Sequence, residues 1–364
     1  MNYEVVIYIH GISPDEELAT FSNAKEVADL SAIHDPLRKS KISHEKEYNA
    51  FKQGISRFIL DESKQKAWDQ AEHCFSEWGW EYQETDANNL GASHRLKDAQ
   101  HQLGQRVIQA IKDTYWISLF PQKAVRKLAL YGLSDAFYYV SSEGQNSIRG
   151  RIYHQIASRL RGVLDDPNAS VSLTLIGHSA GSVIAFDLVS YLFTDAELFM
   201  GDLDGQAREL DNNIAIRRKH RKQLSRVFSK KDAVLRESRA VVENLIRLKS
   251  MRVAKRLTLR RLITMGSPIA MMAFRSDQSI RALAYGNRVS LSSLGLAGTG
   301  GSLVNPCWVN IWNKYDPISF PVEPMVDVGH SVKDFHLRIA WNPLKIHTNY
   351  WVSKNVHQLI ARLW

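Results

Sequence analysis

The chain has 364 residues, of which 44% are hydrophobic and 23% charged, a composition typical of a globular protein with an ample core. It contains no uninterrupted apolar run of about 18 residues, which excludes an evident membrane-spanning helix. The net charge of +9 is concentrated between residues 205 and 261, where eighteen basic side chains stand against five acidic ones. The rest of the chain is therefore mildly acidic.

Short apolar runs predict buried strands, and longer amphipathic stretches predict helices. In chain order, the predicted strands cover residues 5–9, 135–140, 173–176, 261–268 (ending in a Gly-Ser-Pro turn), 307–313 and 334–341. The predicted helices cover residues 47–60, 65–80, 93–115, 148–164, 182–192 and 350–363. Strands that alternate with helices predict an α/β fold, with a mostly parallel sheet covered by helices on both faces.

The skeleton of strands and helices favours a single domain over residues 1–364 with two additional segments. Residues 61–130 are predicted to form a helical cap, and the basic helical segment 200–258 is predicted to form a lid or a membrane-contact segment, because insertions in such folds cover the crevice at the strand ends. Cys74 and Cys307 are too few for a disulfide framework and lack metal-ligand spacing. The N-terminal run MNYEVVIYIHG is not typical of a signal peptide, so we expect a reducing, cytoplasmic compartment.

The stretch LTLIGHSAGSVIAFD, residues 173–187, predicts a buried strand, a tight turn and a helix. Ser179 lies at the turn between Gly177 and Gly181, and residues without a Cβ on both sides allow the chain to turn sharply. Strand, G-x-S-x-G and helix in this order are typical of a nucleophile elbow that projects a serine hydroxyl. An ordinary glycine-rich turn is the structural alternative.

A nucleophilic serine needs a base that takes its proton, and histidine is suited to this at neutral pH. After an elbow the acid comes first and the histidine second, so the candidates lie towards the C-terminus. His347, in PLKIHTNYW, falls in a predicted loop after the last strand and is favoured by that position. His330 in DVGHS is the main competitor, whereas His336 and His357 fall inside a predicted strand and helix.

The histidine needs a carboxylate that holds its tautomer and stabilises its cation. Asp316 follows the predicted strand VNIWN in the turn KYDP, which is where that partner belongs. A plain Asp-Pro turn is the structural alternative for this residue. Asp327 and Asp334 are weaker candidates for the same role.

Two backbone N–H groups must also face the negative charge that develops on the substrate oxygen. The amide of Ala180, at the start of the predicted helix, is one candidate donor. The loop YIHGIS after the first strand offers the second, from Gly11 or Ile12. His10 in this loop is expected to brace the backbone rather than to take part in catalysis.

The set IHG, GHSAG, MGSP, YDP and HTNYW, in this order, resembles the α/β-hydrolase superfamily and is most similar to its lipase-like and esterase-like branches. The resemblance covers residues 3–195 and 261–364. It implies no metal and no cofactor. The site that it implies consists of Ser179 as nucleophile, His347 as base, Asp316 as the acid that orients it, and an oxyanion hole at Ala180 and Gly11 or Ile12.

The basic segment 205–261 departs from that resemblance. It contains RRKHRK at residues 217–222, followed by a predicted helix with apolar side chains on one face and basic ones on the other. Such a helix can lie on an anionic membrane surface, or it can pack its apolar face on the core as a lid. Nucleic-acid binding is a weaker alternative, because basic charge suits many partners.

The sequence therefore predicts a serine hydrolase that cleaves carboxylic esters through an acyl-enzyme intermediate. Lipid or phospholipid esters are the expected substrates, because the lipase-like turns occur together with a basic amphipathic segment. Two alternatives stay open. One is thioester or amide cleavage by the same three residues, and the other is an inactive hydrolase scaffold that binds membrane or nucleic acid.

Overall fold

The computed structural model describes residues 2–11, 47–76, 166–193, 254–273, 307–325, 332–340 and 346–364, together with separate positions between 152 and 163 and between 243 and 252. Within these ranges six strands form one sheet in which all neighbours are parallel. The strands are β1 (Asn2–Ile9), β2 (Glu72–Ser76), β3 (Ser170–His178), β4 (Leu257–Met265), β5 (Trp308–Trp312) and β6 (Val332–His336). The helices with continuous bounds are α1 (47–56), α2 (Glu62–Gln70), α3 (Ala180–Phe193), α4 (Ile269–Ala273) and α5 (Lys354–Leu363). The separate positions between 152 and 163 and between 243 and 252 also include helical residues, Gly162 among them. The predicted α/β class is confirmed.

The strand order is β2-β1-β3-β4-β5-β6, so the direction in which strands are added reverses between β1 and β3. Because all strands are parallel, their carboxyl ends lie along one edge of the sheet. Ligands of open α/β sheets bind outside this edge, at the point where the strand order reverses. β1 and β3 pair from Asn2 opposite Ser170 to Ile9 opposite Gly177. Gly11 and Ser179, which follow these two strands, therefore lie at that point.

Both faces of the sheet carry an apolar core. Successive side chains of a strand point to opposite faces, and β1 divides its buried residues accordingly. Ile7 belongs to the cluster that includes the apolar side chains of α3, whereas Tyr8 belongs to the cluster that includes α1 and α5. The Tyr8 ring meets Phe51 of α1 edge-on at 6.0 Å between centroids. Helices thus cover both faces, as a parallel sheet requires.

Within the stretch 65–80, predicted as one helix, the described residues 65–76 form two elements instead. α2 ends at Gln70, and β2 follows as an edge strand in which Cys74 pairs with Ile7 of β1. A strand of five residues is too short for its alternation to stand out, and its pairing partner is distant in sequence. Residues 61–76, predicted as the beginning of the cap, therefore belong to the sheet and its covering layer. Residues 77–130 lie outside the described ranges.

Several predicted boundaries shift because pairing partners, not local apolar runs, determine where a strand ends. β4 begins at Leu257, so the end of the basic segment is part of the sheet. β6 ends at His336, where its partner β5 also ends at Trp312, although the sequence predicted a strand over 334–341. The predicted strand at 135–140 and most of the basic segment lie outside the described residues.

Both cysteines are buried thiols. Burial, assisted by the charge of Glu72, raises the pKa of the Cys74 thiol to about 12. The thiol therefore stays protonated at neutral pH, and a protonated thiol is a poor nucleophile. Among the residues described, no helix has the length and apolar character that crossing a bilayer demands.

Candidate active site

Ser179 forms the turn between β3 and α3. Its φ is 54°, in the left-handed region that a residue with a Cβ rarely adopts. Such a conformation costs roughly 1–3 kcal/mol and persists only where its surroundings enforce it. Here the Ser179 N–H donates a hydrogen bond to the carbonyl of Met265 at 2.9 Å, which ties the turn to β4. The strand, strained serine and helix have the geometry expected of an elbow.

The two glycines that flank Ser179 are required by close backbone contacts. A Cβ built on Gly177 would lie 2.6 Å from the Cα of Ser182. A Cβ on Gly181 would lie 2.3 Å from the carbonyl oxygens of Ile9 and His10. Glycine at these positions therefore allows α3 to start directly against the end of β1.

The structure brings Ser179, His347 and Asp316 together in one hydrogen-bonded chain. His347 Nε2 lies 2.9 Å from Ser179 Oγ, and His347 Nδ1 lies 2.9 Å from Asp316 Oδ2. All three residues are buried. A carboxylate can only accept, so the proton is assigned to Nδ1, and Nε2 is left to accept the serine hydroxyl. This is the arrangement in which a positioned base can remove the proton of a nucleophile.

Asp316 is held by the loop that follows β5. Its N–H donates to the carbonyl of Asn313 at 2.9 Å, and its Oδ1 accepts the N–H of Ile318 at 3.2 Å. Oδ2 is the oxygen that accepts from His347. Burial and the negative charge of Asp316 raise the pKa of the Tyr350 phenol, which therefore stays protonated beside the carboxylate.

The other candidates for acid and base have other partners or lie outside the described residues. Asp334 accepts hydrogen bonds from the Asn310 side chain at 2.7 Å and from the backbone N–H of Glu323 at 2.8 Å, and burial raises its pKa. His357 Nε2–H donates to the carbonyl of Trp351 at 2.8 Å. His336 lies at the exposed end of β6 against Trp312. Two candidates fall outside the described ranges: His330 and Asp327.

Two of the residues predicted to form the oxyanion hole adjoin Ser179. Ala180 is the first residue of α3, and a Cβ built on Gly11 would come within 3.1 Å of Ser179 Oγ. Ile12 lies outside the described residues. His10 Nδ1–H donates to the carbonyl of Gly11 at 2.7 Å, and its ring stacks on Trp351 with an interplanar angle of 8°. These contacts brace the Gly11 loop, as predicted for His10.

Two neighbours of the three residues were missed as site residues by the sequence analysis. Gly266, in the turn MGSP after β4, has a φ of 55°. A Cβ built there would lie 3.3 Å from both Asp316 Oδ2 and His347 Cε1, so the turn packs directly on the acid and the base. His178 donates to the backbone of His347. The glycine in the turn that ends a predicted strand could have indicated Gly266, whereas nothing in the sequence indicated the role of His178.

Among the described residues, no cluster of His, Cys, Asp and Glu has an arrangement that could hold a metal ion.

Comparison of the chain with protein-family models, with curated proteins and with solved structures found no match.

Proposed function

We propose that the protein is a serine hydrolase of the α/β-hydrolase fold that cleaves carboxylic esters. The observation that carries this proposal is the buried chain of hydrogen bonds from Ser179 Oγ through the His347 imidazole to the Asp316 carboxylate, with 2.9 Å at each step. A purely structural role would not require a serine in a strained turn to form a hydrogen bond with a histidine whose other ring nitrogen is bound to a carboxylate.

The order of the site along the sheet supports the same proposal. The serine follows β3, next to the reversal of the strand order, while the acid follows β5 and the base follows β6. The chain order is therefore Ser179, Asp316 and His347, the order associated with elbow serines in α/β hydrolases.

In the proposed reaction, Ser179 Oγ attacks the carbonyl carbon of the ester while His347 Nε2 takes its proton. The resulting oxyanion is stabilised by the N–H groups of Ala180 and Gly11, and a donor of this kind contributes about 10²–10³-fold in rate. Asp316 stabilises the His347 cation. The intermediate collapses, the alcohol leaves with the proton from His347, and an acyl-enzyme remains on Ser179.

The second half of the reaction returns the enzyme to its starting state. A water molecule gives a proton to His347 Nε2 and attacks the acyl carbonyl carbon. The second tetrahedral intermediate releases the carboxylic acid as the proton returns to Ser179 Oγ. Neither half requires a cofactor.

Lipid or phospholipid esters are the proposed substrates within this class. The support comes from the basic amphipathic segment between residues 205 and 261, which can attract an anionic lipid surface. Thioesters and amides are also carbonyl substrates that the same three residues can attack. Hydrolysis rates of an ester, a thioester and an amide with the same acyl chain will rank the three substrate classes.

Covalent labelling by a fluorophosphonate probe tests the proposal. This reagent phosphonylates the activated serine of a serine hydrolase, and digestion followed by mass spectrometry locates the modified peptide. We expect labelling at Ser179 and no labelling of Ser179→Ala. Labelling should be unchanged in Ser319→Ala, which removes a buried hydroxyl that accepts a hydrogen bond from Tyr350.

Absence of labelling in protein that unfolds cooperatively on heating would overturn the hydrolase proposal. The alternative of an inactive scaffold that binds membrane or nucleic acid would then be the better account of the chain.

A further inference from the structure

The consecutive residues His178 and Ser179 bind two different parts of His347. His178 Nε2 lies 2.7 Å from the backbone carbonyl oxygen of His347, and Ser179 Oγ lies 2.9 Å from its side-chain Nε2. His178 is the last residue of β3, in the centre of the sheet. One strand end therefore holds both the nucleophile and the backbone of the base.

This contact matters because His347 lies in a turn, not in regular structure. Residues 347–352 form turns between β6 and α5, so no strand pairing fixes the His347 backbone. The carbonyl of His347 is buried with the rest of the residue, which is 5% exposed. A buried carbonyl needs a donor, and His178 supplies it from the rigid sheet.

The hydrogen bond also assigns the proton of His178. A carbonyl only accepts, so Nε2 carries the proton and Nδ1 is left with a lone pair. In the described part of the chain this Nδ1 is buried without a hydrogen-bond partner. Burial, with smaller effects from the charges of His347 and His10, lowers the pKa of His178 well below its ordinary value. His178 is therefore neutral at neutral pH.

Neutrality is necessary at this position. The ring centroids of His178 and His347 are 4.9 Å apart, and His347 becomes a cation when it takes the serine proton. A second cation at that distance would oppose proton transfer. Aromatic rings also hold the His178 ring in place, with centroids of Tyr350 at 5.6 Å and Trp351 at 5.7 Å.

We propose that His178 is a positioning residue for the base. By donating to the His347 carbonyl, it holds the turn that carries His347 so that Nε2 stays within hydrogen-bond distance of Ser179 Oγ. This inference rests on the proposed function, because it gives His178 a role in the reaction assigned to Ser179.

Two substitutions distinguish the effect of the His178 hydrogen-bond donor from the effect of its ring. His178→Phe keeps a planar ring of similar size but cannot donate, whereas His178→Gln keeps an N–H at a similar distance from Cα. We expect His178→Phe to lower the rate of fluorophosphonate labelling and the kcat for a chromogenic ester by about 10–100-fold, because a shift of about 1 Å at the base costs that much. KM should stay within about twofold, and His178→Gln should recover most of the loss.

A structural role alone would give a different pattern. Equal losses in both variants, in parallel with lower melting temperatures, would overturn the inference, and so would a His178→Phe variant as active as the unaltered protein. Melting temperatures measured for all variants distinguish a misplaced base from a damaged fold.

The failure of this inference is distinguishable from failure of the proposed function. If the unaltered protein is not labelled at Ser179, the hydrolase proposal fails, and proton NMR then decides the role of His178. The His347 Nδ1–H proton shared with Asp316 is assigned by ¹⁵N-histidine labelling and by its loss in His347→Ala. We expect this resonance in His178→Gln and its loss or displacement in His178→Phe. An unchanged resonance in His178→Phe would overturn the positioning role.

Discussion

A Cβ atom built on Gly11 would lie 2.4 Å from the Cβ of Ser179 and 2.8 Å from the carbonyl oxygen of His178. The backbone at Gly11, just after β1, therefore packs directly on the serine, and only glycine leaves room for this approach. The contact joins the ends of the two strands between which the strand order reverses. It also brings a backbone segment close enough to Ser179 to take part in binding an oxyanion.

The first prediction concerns this contact. Gly11→Ala should lower the rate of labelling at Ser179 by about 100-fold or more, because the added methyl group displaces either the hydroxyl or the loop. The matched control is Gly162→Ala, since a Cβ at Gly162 would meet no atom within 4 Å. The control should label normally and gain up to about 1 kcal/mol from better helix propensity. Normal labelling of Gly11→Ala would contradict the prediction.

The second prediction separates the buried Asp316 from the half-buried Asp334. Asp316→Asn should lower kcat for ester hydrolysis by about 10⁴-fold without unfolding the protein, because an amide cannot stabilise the His347 cation or hold its tautomer. Asp334→Asn should keep kcat within about tenfold but lower the melting temperature, because Asp334 accepts the N–H groups of Val322 and Glu323. Steady-state kinetics and thermal melts of both variants check this. A larger loss of kcat in Asp334→Asn than in Asp316→Asn would indicate that Asp334, not Asp316, orients His347.

The third prediction concerns acid stability. His73 Nε2–H donates to the carbonyl of Trp68 at 2.8 Å, so its Nδ1 accepts the hydroxyl of Tyr8 at 2.9 Å. Burial lowers the pKa of His73 from 6.5 to about 4. Between these values His73 binds more protons in the unfolded chain than in the native protein, so its contribution lowers the free energy of unfolding as the pH falls from 6.5 towards 4.

Urea unfolding at pH 7.5, 6 and 5 measures this effect, to which one histidine contributes at most about 1.4 kcal/mol per pH unit. In His73→Gln, which cannot titrate, the fall should be smaller. A part will persist, because the pKa values of His178 and His357 are lowered by burial in the same way. A free energy of unfolding that is equal at pH 7.5 and pH 5 would exclude this account.

The fourth prediction tests the proposed lipid substrate and rests on sequence alone. Neutralising the basic run, by changing Arg217, Arg218, Lys219, Arg221 and Lys222 to Gln, should weaken cosedimentation with phosphatidylserine vesicles at low salt, where surface charge acts most strongly. Vesicles of phosphatidylcholine alone are the control. Equal binding of the altered and unaltered proteins to the anionic vesicles would contradict membrane binding by this basic run. It would not bear on ester cleavage by Ser179.

Features carried by one continuous stretch were predictable. The strand, turn and helix around Ser179 depend on neighbours within a few residues, so apolar periodicity and flanking glycines were sufficient. Asp316 and His347 could be chosen only by chain order and by their places after predicted strands. β2 and the packing of Gly266 on the acid and base escaped prediction, because each depends on a partner far away in the sequence.

By itself the sequence determined the α/β class, the turn at Ser179 and the chain order of the candidate residues, because these follow from interactions among neighbouring residues. Only the tertiary structure decided the strand order and the distances of 2.9 Å that join Ser179, His347 and Asp316. It also decided that His178 holds the backbone of His347. The physical reason is that hydrogen bonds act over about 3 Å, and only the pairing of β3 with its distant neighbours brings loops so far apart in the sequence to that separation.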